Sequence, residues 1–156
     1  MAENFQLSIS HDLSERIRHH SAETFPHECC GALLGRDSAF EEKSPDQPRE
    51  VVGLFPLVNR RDDSPRNRFA VTAEDVREAE KAAGERGLEV VGWYHSHPDH
   101  PARPSSFDRE HAWPWYSYVI VSVMAGVPAE MTSWRLNDDR QDYAQENIEI
   151  RKRAAL

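Results

Sequence analysis

Leu88-Glu89-Val90-Val91-Gly92-Trp93-Tyr94-His95-Ser96-His97-Pro98 decides how this chain is read. Its first seven residues are mostly β-branched, aromatic or otherwise apolar, which predicts a buried strand running straight into two histidines. Strand side chains at i and i+2 share a face, so His95 and His97 project together, about 6–7 Å apart along the strand. Pro98 then ends ladder pairing and turns the chain. Past the turn comes Pro104-Ser105-Ser106-Phe107-Asp108. Ser105 and Asp108 have the spacing of a helix N-cap and its N3 acid. A helix starting there would hold Asp108 in its first turn, at a fixed angle to the histidines. Two imidazoles and one carboxylate on a short tether make a divalent metal site with a fourth position open. That is the ligand count of a catalytic zinc site, not of a closed structural one. A capping box accounts for Ser105 and Asp108 but leaves the neighbouring histidines unexplained.

Working outward, the chain alternates strands and helices. Phe5 to Ile9 reads as a short strand, and Ser10 as the N-cap of a helix from His11 to Thr24, ended by Pro26. His11, His19 and His20 are most simply helix residues, facing solvent or half-buried. Cys29 to Gly35 reads as a strand with Glu28 at its entrance. Arg36 to Glu50 is a charged loop. Val51 to Val58 is a strand interrupted by Pro56, hence an edge or bulged strand. Asn59 to Arg68 is a polar loop carrying Arg60, Arg61, Arg66 and Arg68. Phe69 to Val71 is a short strand. Thr72 and Asp75 cap a helix to Glu85, with Gly87 just past its end. After the histidine strand, a short helix reaches Ala112 and Pro114 breaks it. Tyr118 to Val123 and Met131 to Leu136 are strands. Tyr143 to Ile150 fits a last strand or a helix. The fold class is α/β of the α+β type, a mixed sheet with helices on its faces.

At 156 residues the chain is one domain by length. No apolar run approaches the ~20 residues of a membrane span, and Met1-Ala2-Glu3-Asn4 does not open a signal peptide. Cys29 and Cys30 are adjacent and fit buried strand residues in a reducing cytoplasm better than metal ligands. A net charge of −8 argues against a nucleic-acid partner and suits a basic protein substrate or a salt-rich cytoplasm.

His95-Ser96-His97-Pro98, Ser105 and Asp108 resemble the signature of the JAMM (MPN+) metalloproteases, His-x-His-Pro-x6-Ser-x2-Asp. That family also has an upstream glutamate in a Pro-x-Glu-x-x-Gly-x-Leu-x-Gly-like segment, here Pro26 to Gly35 with Glu28. The resemblance spans roughly residues 10 to 125. It implies an MPN/JAB-like fold: a curved, largely antiparallel sheet flanked by helices. Residues 1–137 would be the metalloprotease domain, and 138–156 a charged tail or the domain's last element. One zinc ion per chain would sit on His95, His97 and Asp108. Glu28 would be the general base and then acid, and Ser105 would help to stabilise the oxyanion. Asp99 and His100 are spare ligand candidates, and His111 is a surface helix residue.

The resemblance further implies cleavage after the C-terminal Gly-Gly of a ubiquitin-like protein. No insertion carries a second set of Cys/His ligands of the kind seen in relatives that cut polyubiquitin. That favours a sulfur-carrier substrate, releasing cysteine or another C-terminal extension. The alternatives are a deubiquitinase-like isopeptidase and a non-catalytic MPN scaffold. A zinc deaminase needs Pro-Cys-x-x-Cys, which this chain lacks. The Pro56 strand and the arginine-rich loop are the candidate lip of the substrate groove.

Overall fold

The computed structural model describes residues 6–36, 48–58 and 71–152. The elements run β1 (Gln6–Ser10), α1 (His11–Thr24), β2 (Cys30–Arg36), β3 (Arg49–Leu57), α2 (Ala73–Glu85), β4 (Glu89–Pro98), α3 (Ser106–His111), β5 (Ser117–Met124), β6 (Val127–Leu136) and β7 (Tyr143–Arg151). The strands are ordered β1-β3-β2-β4-β5-β6-β7, and pairing of β1 with β7 curves the sheet into a closed barrel. The β2–β3, β2–β4, β5–β6 and β6–β7 ladders are antiparallel. The β1–β3, β1–β7 and β4–β5 ladders are parallel. The mixed α/β architecture is thus the expected one, carried to closure.

The two helices that flank the sheet bury different faces of it. Ile17 of α1 packs with Leu7, Leu33, Val51, Tyr94, Val119 and Val121. Ala79 and Ala83 of α2 pack with Ala32, Leu34, Leu57, Val90 and Trp93. Alanines at helical spacing let α2 lie close to the sheet. Both N-caps form as the sequence predicts. Ser10 accepts the Leu13 N–H, and Thr72 and Asp75 make a full capping box. α2 closes with the Arg86 N–H donating to the Ala83 carbonyl and the Gly87 N–H to the Gly84 carbonyl, with Gly87 at a positive φ.

Several boundaries move, each for a physical reason. Pro56 does lie at an edge: β1 pairs with β3 only over Arg49 to Val51. The bulge of β3 falls at Val52 rather than at Pro56, where the ladder steps from Gly53 to Val51. β6 begins at Val127, four residues before the expected Met131, despite Pro128. Ala125 and Gly126, both at positive φ, make a two-residue hairpin that feeds β6 directly. Pro128 is tolerated because β7 pairs only with Ser133 to Leu136, leaving that end of β6 an edge. Residues 143–151 are a strand, which pairs with β6 on one side and β1 on the other. Val71 is in no strand. The rest of that expected strand and the arginine-bearing loop from Asn59 to Arg68 lie outside the described residues.

β4 is sandwiched between β2 and β5, and close packing there depends on Gly92. A Cβ on Gly92 would strike the backbone carbonyl of Ser117 at the start of β5. Backbone cannot rotate away as a flexible side chain would. Gly92→Ala should therefore cost about 1–3 kcal/mol or more in urea unfolding, and an unchanged midpoint would contradict this packing.

Candidate active site

The site grows from the pairing of β2 with β4. Cys30 lies opposite His95 in this antiparallel ladder. Side chains directly opposite share a face, so Cys30 and His95 point to the α2 side. Continuing the register sets Cys29 against Ser96, on the α1 side, and Glu28 against His97, back on the α2 side. Cys29 accordingly belongs to the α1-side core and Cys30 to the α2-side core. One register thus delivers Glu28, His95 and His97 to one crevice, although Glu28 is remote from the histidines in sequence.

Asp108 arrives from α3. Ser105 Oγ accepts the Asp108 N–H at 3.1 Å, and Asp108 Oδ2 accepts the Ser105 N–H at 2.8 Å. This capping box aims the carboxylate at both rings. Asp108 Oδ1 is 3.3 Å from His95 Nε2, and Oδ2 is 3.2 Å from His97 Nε2. The two Nε2 atoms are 3.1 Å apart. A tetrahedral ion with bonds of about 2.0–2.1 Å holds its ligand atoms roughly 3.3 Å apart. The two rings face different oxygens of one carboxylate at about that spacing, so His95, His97 and Asp108 could each offer one donor to a single ion and leave a fourth position open.

The orientation of His97 is set by its other nitrogen. His97 Nδ1 lies 3.0 Å from the Pro101 carbonyl oxygen. A carbonyl can only accept, so Nδ1 is the donor there; bound to an ion the ring would present its Nε2 lone pair, whereas in the contact with Asp108 it is Nε2–H that donates. Such a bond to the far nitrogen is the usual support of a metal-ligating histidine.

The two carboxyl groups are driven in opposite directions. Burial pushes the Glu28 carboxyl up to about 8, against the opposing pull of His97. Burial also acts against the Asp108 carboxylate, but the His95 charge and hydrogen bonds from both histidines hold it well below the usual carboxylate range. Two acids with separated proton affinities, both beside two histidines, make a site able to keep one carboxylate as ligand and use the other to move a proton. Glu28 is 3% exposed, which excludes a surface acid beside a turn.

The remaining sequence candidates lie outside the cluster of three. Asp99 Oδ1 accepts the Ala125 N–H of the β5–β6 hairpin, and exposed His100 is held through its backbone carbonyl, which accepts from Ser122. His20 Nδ1 meets the Tyr94 hydroxyl at 2.8 Å, and exposed His19 pairs with Glu23. His111 is exposed on α3 and stacks on Phe107. Both cysteines are unbridged and buried, and burial pushes the Cys29 thiol up to about 12. Cys30 lines the crevice beside His95, Asp108 and Tyr118, a place that only the register reveals.

Sequence reading also missed an aromatic cavity of about 660 Å³ that adjoins the crevice. Val71 and Val76 form one wall, and Trp93, Trp115, Tyr116 and Tyr118 much of the rest. Trp93, Val71, His111 and Tyr118 line both spaces. The run Trp113-Pro114-Trp115-Tyr116 was a visible signal, since three aromatic residues around a helix-breaking proline form a wall more readily than a solvated turn. Among the described residues no helix is long and apolar enough to cross a membrane.

Comparison with known proteins agrees with this architecture. The family described as prokaryotic homologs of the JAB domain matches residues 10–137. A desampylase of Haloferax volcanii is 34% identical over 122 residues, covering 75% of this chain and 81% of that protein. A Salinibacter ruber protein solved in solution is 43% identical, with TM-score 0.70 over 93% of this chain and 92% of that one. A Desulfitobacterium hafniense protein, also solved in solution, is 27% identical, with TM-score 0.77 over 94% of each chain. A JAB1/MPN domain protein of Archaeoglobus fulgidus, 16% identical, shares the fold at TM-score 0.52 over 92% of this chain and 96% of that one. With the fold, the His-x-His strand and the capped aspartate in place, this chain belongs to the prokaryotic JAB-domain, or compact JAMM/MPN, family.

Proposed function

We propose that this chain is a zinc-dependent peptidase that hydrolyses the bond after the C-terminal Gly-Gly of a ubiquitin-like protein, with a sulfur carrier as its substrate. The observation that carries the proposal is the convergence of two histidine Nε2 atoms and the two oxygens of one carboxylate, 3.1–3.3 Å from one another across the three residues, beside a buried carboxyl of raised proton affinity. The similarity to a protein named desampylase supports action on conjugates of a ubiquitin-like modifier, so isopeptides are the second substrate class. The two buried, unbridged cysteines fit a reducing cytoplasm.

His95, His97 and Asp108 would hold the zinc ion, which when bound supplies a Lewis acid that acidifies water and polarises a carbonyl. Glu28 takes the proton of the attacking water on its carboxylate and returns it to the leaving amine. Near a divalent cation that carboxylate is favoured over the protonated form that burial alone imposes. Ser105 spends an oxygen lone pair on the Asp108 N–H, which leaves its hydroxyl proton for the oxyanion. The aromatic cavity accepts the apolar part of the substrate's extended tail, and a narrow passage at the metal admits only glycine at the last two positions.

The zinc-loaded protein should release the extension from a carrier ending Gly-Gly-X and spare the same carrier ending Ala-Ala-X, followed by mass spectrometry. Equal cleavage of unfolded casein and of the folded carrier would show a general peptidase instead. Elemental analysis should find about one zinc per chain, and His95→Ala/His97→Ala should lose it. Full zinc retention by that double variant would sink the ligand assignment.

Glu28→Gln should keep its zinc and lose roughly 10²–10⁴ in turnover. Unchanged turnover would assign the proton transfer to another group. The same variant tests the electrostatics without metal. Unfolded, Glu28 ionises at its ordinary value of 4.5, whereas the folded metal-free protein holds the proton up to about 8. The folded state thus binds the extra proton across that window, and stability falls as pH rises through it. Glu28→Gln has no proton to lose, so urea unfolding of the metal-free variant should show it gaining on the parent between about pH 5 and about pH 8. A constant difference across that range would refute the burial argument.

A further inference from the structure

We propose that Ser96 is a positioning residue: its hydroxyl holds Glu28 in place by accepting the Cys29 backbone N–H. The inference rests on the peptidase reading for Glu28 but not on the identity of the substrate.

β2 begins at Cys30, so Glu28 and Cys29 lie ahead of the regular ladder. A residue that moves protons there needs some other restraint. Cys29 has two bonds across to Ser96. The Ser96 N–H donates to the Cys29 carbonyl at 3.2 Å, as a ladder bond would. The Cys29 N–H donates at 2.8 Å to Ser96 Oγ, so a side chain is the acceptor of this bond. The donor is buried, since Cys29 is 1% exposed and Ser96 0%. In a buried pair of this kind the bond is strongly directional, and losing the acceptor leaves an amide without a partner.

The geometry separates positioning from contact. Neighbouring strand residues point to opposite faces, so Ser96 faces the α1 side while His95 and His97 face the crevice. The Ser96 hydroxyl therefore faces away from the crevice and acts on Glu28 through the Cys29 peptide, with Glu28 the next residue along. The ladder from Cys30 to Gly35 pairs β2 with β4 without this bond. Removing the hydroxyl should thus release the entrance of β2 while leaving the sheet and the three ligand residues in place. Shifts of about 1 Å in a reacting group cost on the order of 10²-fold.

The test is a double-variant cycle on the full, zinc-loaded chain. Ser96→Ala should lower kcat roughly 10- to 100-fold with KM within about twofold and zinc content unchanged. Ser96→Thr, which keeps the acceptor, should recover most of that loss. In the Glu28→Gln background Ser96→Ala should cost less than about twofold, because the group it positions is already gone. An equal loss in both backgrounds would make Ser96 merely structural, and no loss in either would end the proposal. Amide exchange at Cys29 gives a readout free of turnover. It should be slow in the parent and in Ser96→Thr, and at least roughly tenfold faster in Ser96→Ala. Rapid exchange in the parent would overturn the proposal even if Ser96→Ala failed to fold. If the parent cleaves no ubiquitin-like carrier, the peptidase reading falls while the exchange result still decides whether Ser96 restrains the chain before β2.

Discussion

The antiparallel register between β2 and β4 is the constraint on which the site depends. It sets Cys30 against His95, and every other placement follows by alternation. A slip of one residue would send His95 and His97 to the α1 core and bring Tyr94 and Ser96 to the crevice. The register is held by what each face must bury. Tyr94 packs into the α1-side core and Trp93 into the α2-side core. A Cβ at Gly31 would collide with the Tyr94 ring, so only glycine fits opposite that residue in the ladder. The packing that stabilises the sheet thus also fixes which residues can meet a metal.

Within that frame the electrostatics are set by contrast rather than by burial alone. Glu28 and Asp108 are both shielded from water, yet their proton affinities part. Asp108 is met by both histidine rings and by the Ser105 amide, all of which favour its anion. Burial dominates at Glu28, and the charge of Asp108 nearby adds to the rise. The pair therefore sets an acid held as the anion beside an acid whose charge responds to its surroundings, the contrast that the proposed roles of ligand and proton carrier require.

Much of this was legible in the chain. The His95–His97 strand, the capping pairs at Thr72 and Ser105 and the Gly87 stop are local signals with spacings of two to four residues. Local spacing survives folding unchanged. What was not legible is what depends on pairing. The closure of the sheet by β1 and β7 joins the two ends of the chain, and no local pattern encodes it. Residues 143–151 could be assigned only once a partner on each side was known, because their alternation of polar and apolar residues is weak. Cys30 illustrates the same limit: as half of a Cys-Cys pair it reads as core, and its place in the crevice is a property of the ladder. The start of β6 at Val127, ahead of Met131, shows the same limit, because a strand accepts Pro128 where its missing N–H is not needed by a partner.

The same physics governs α3. A helix of six residues such as α3 is too short to be stable by itself, and none of its residues is buried. Its capping box satisfies two amide donors, and the carboxylate of that box is also the one the histidines meet. Ordering α3 and assembling the donor set are therefore one event. Whatever draws Asp108 toward the two rings also closes the first turn of the helix, and whatever frays the helix withdraws that carboxylate. Binding energy at the site would in this sense be folding energy for α3. That coupling explains how an exposed, marginal turn can carry an angle-sensitive carboxylate: the turn need not be rigid beforehand if the charge it serves completes it.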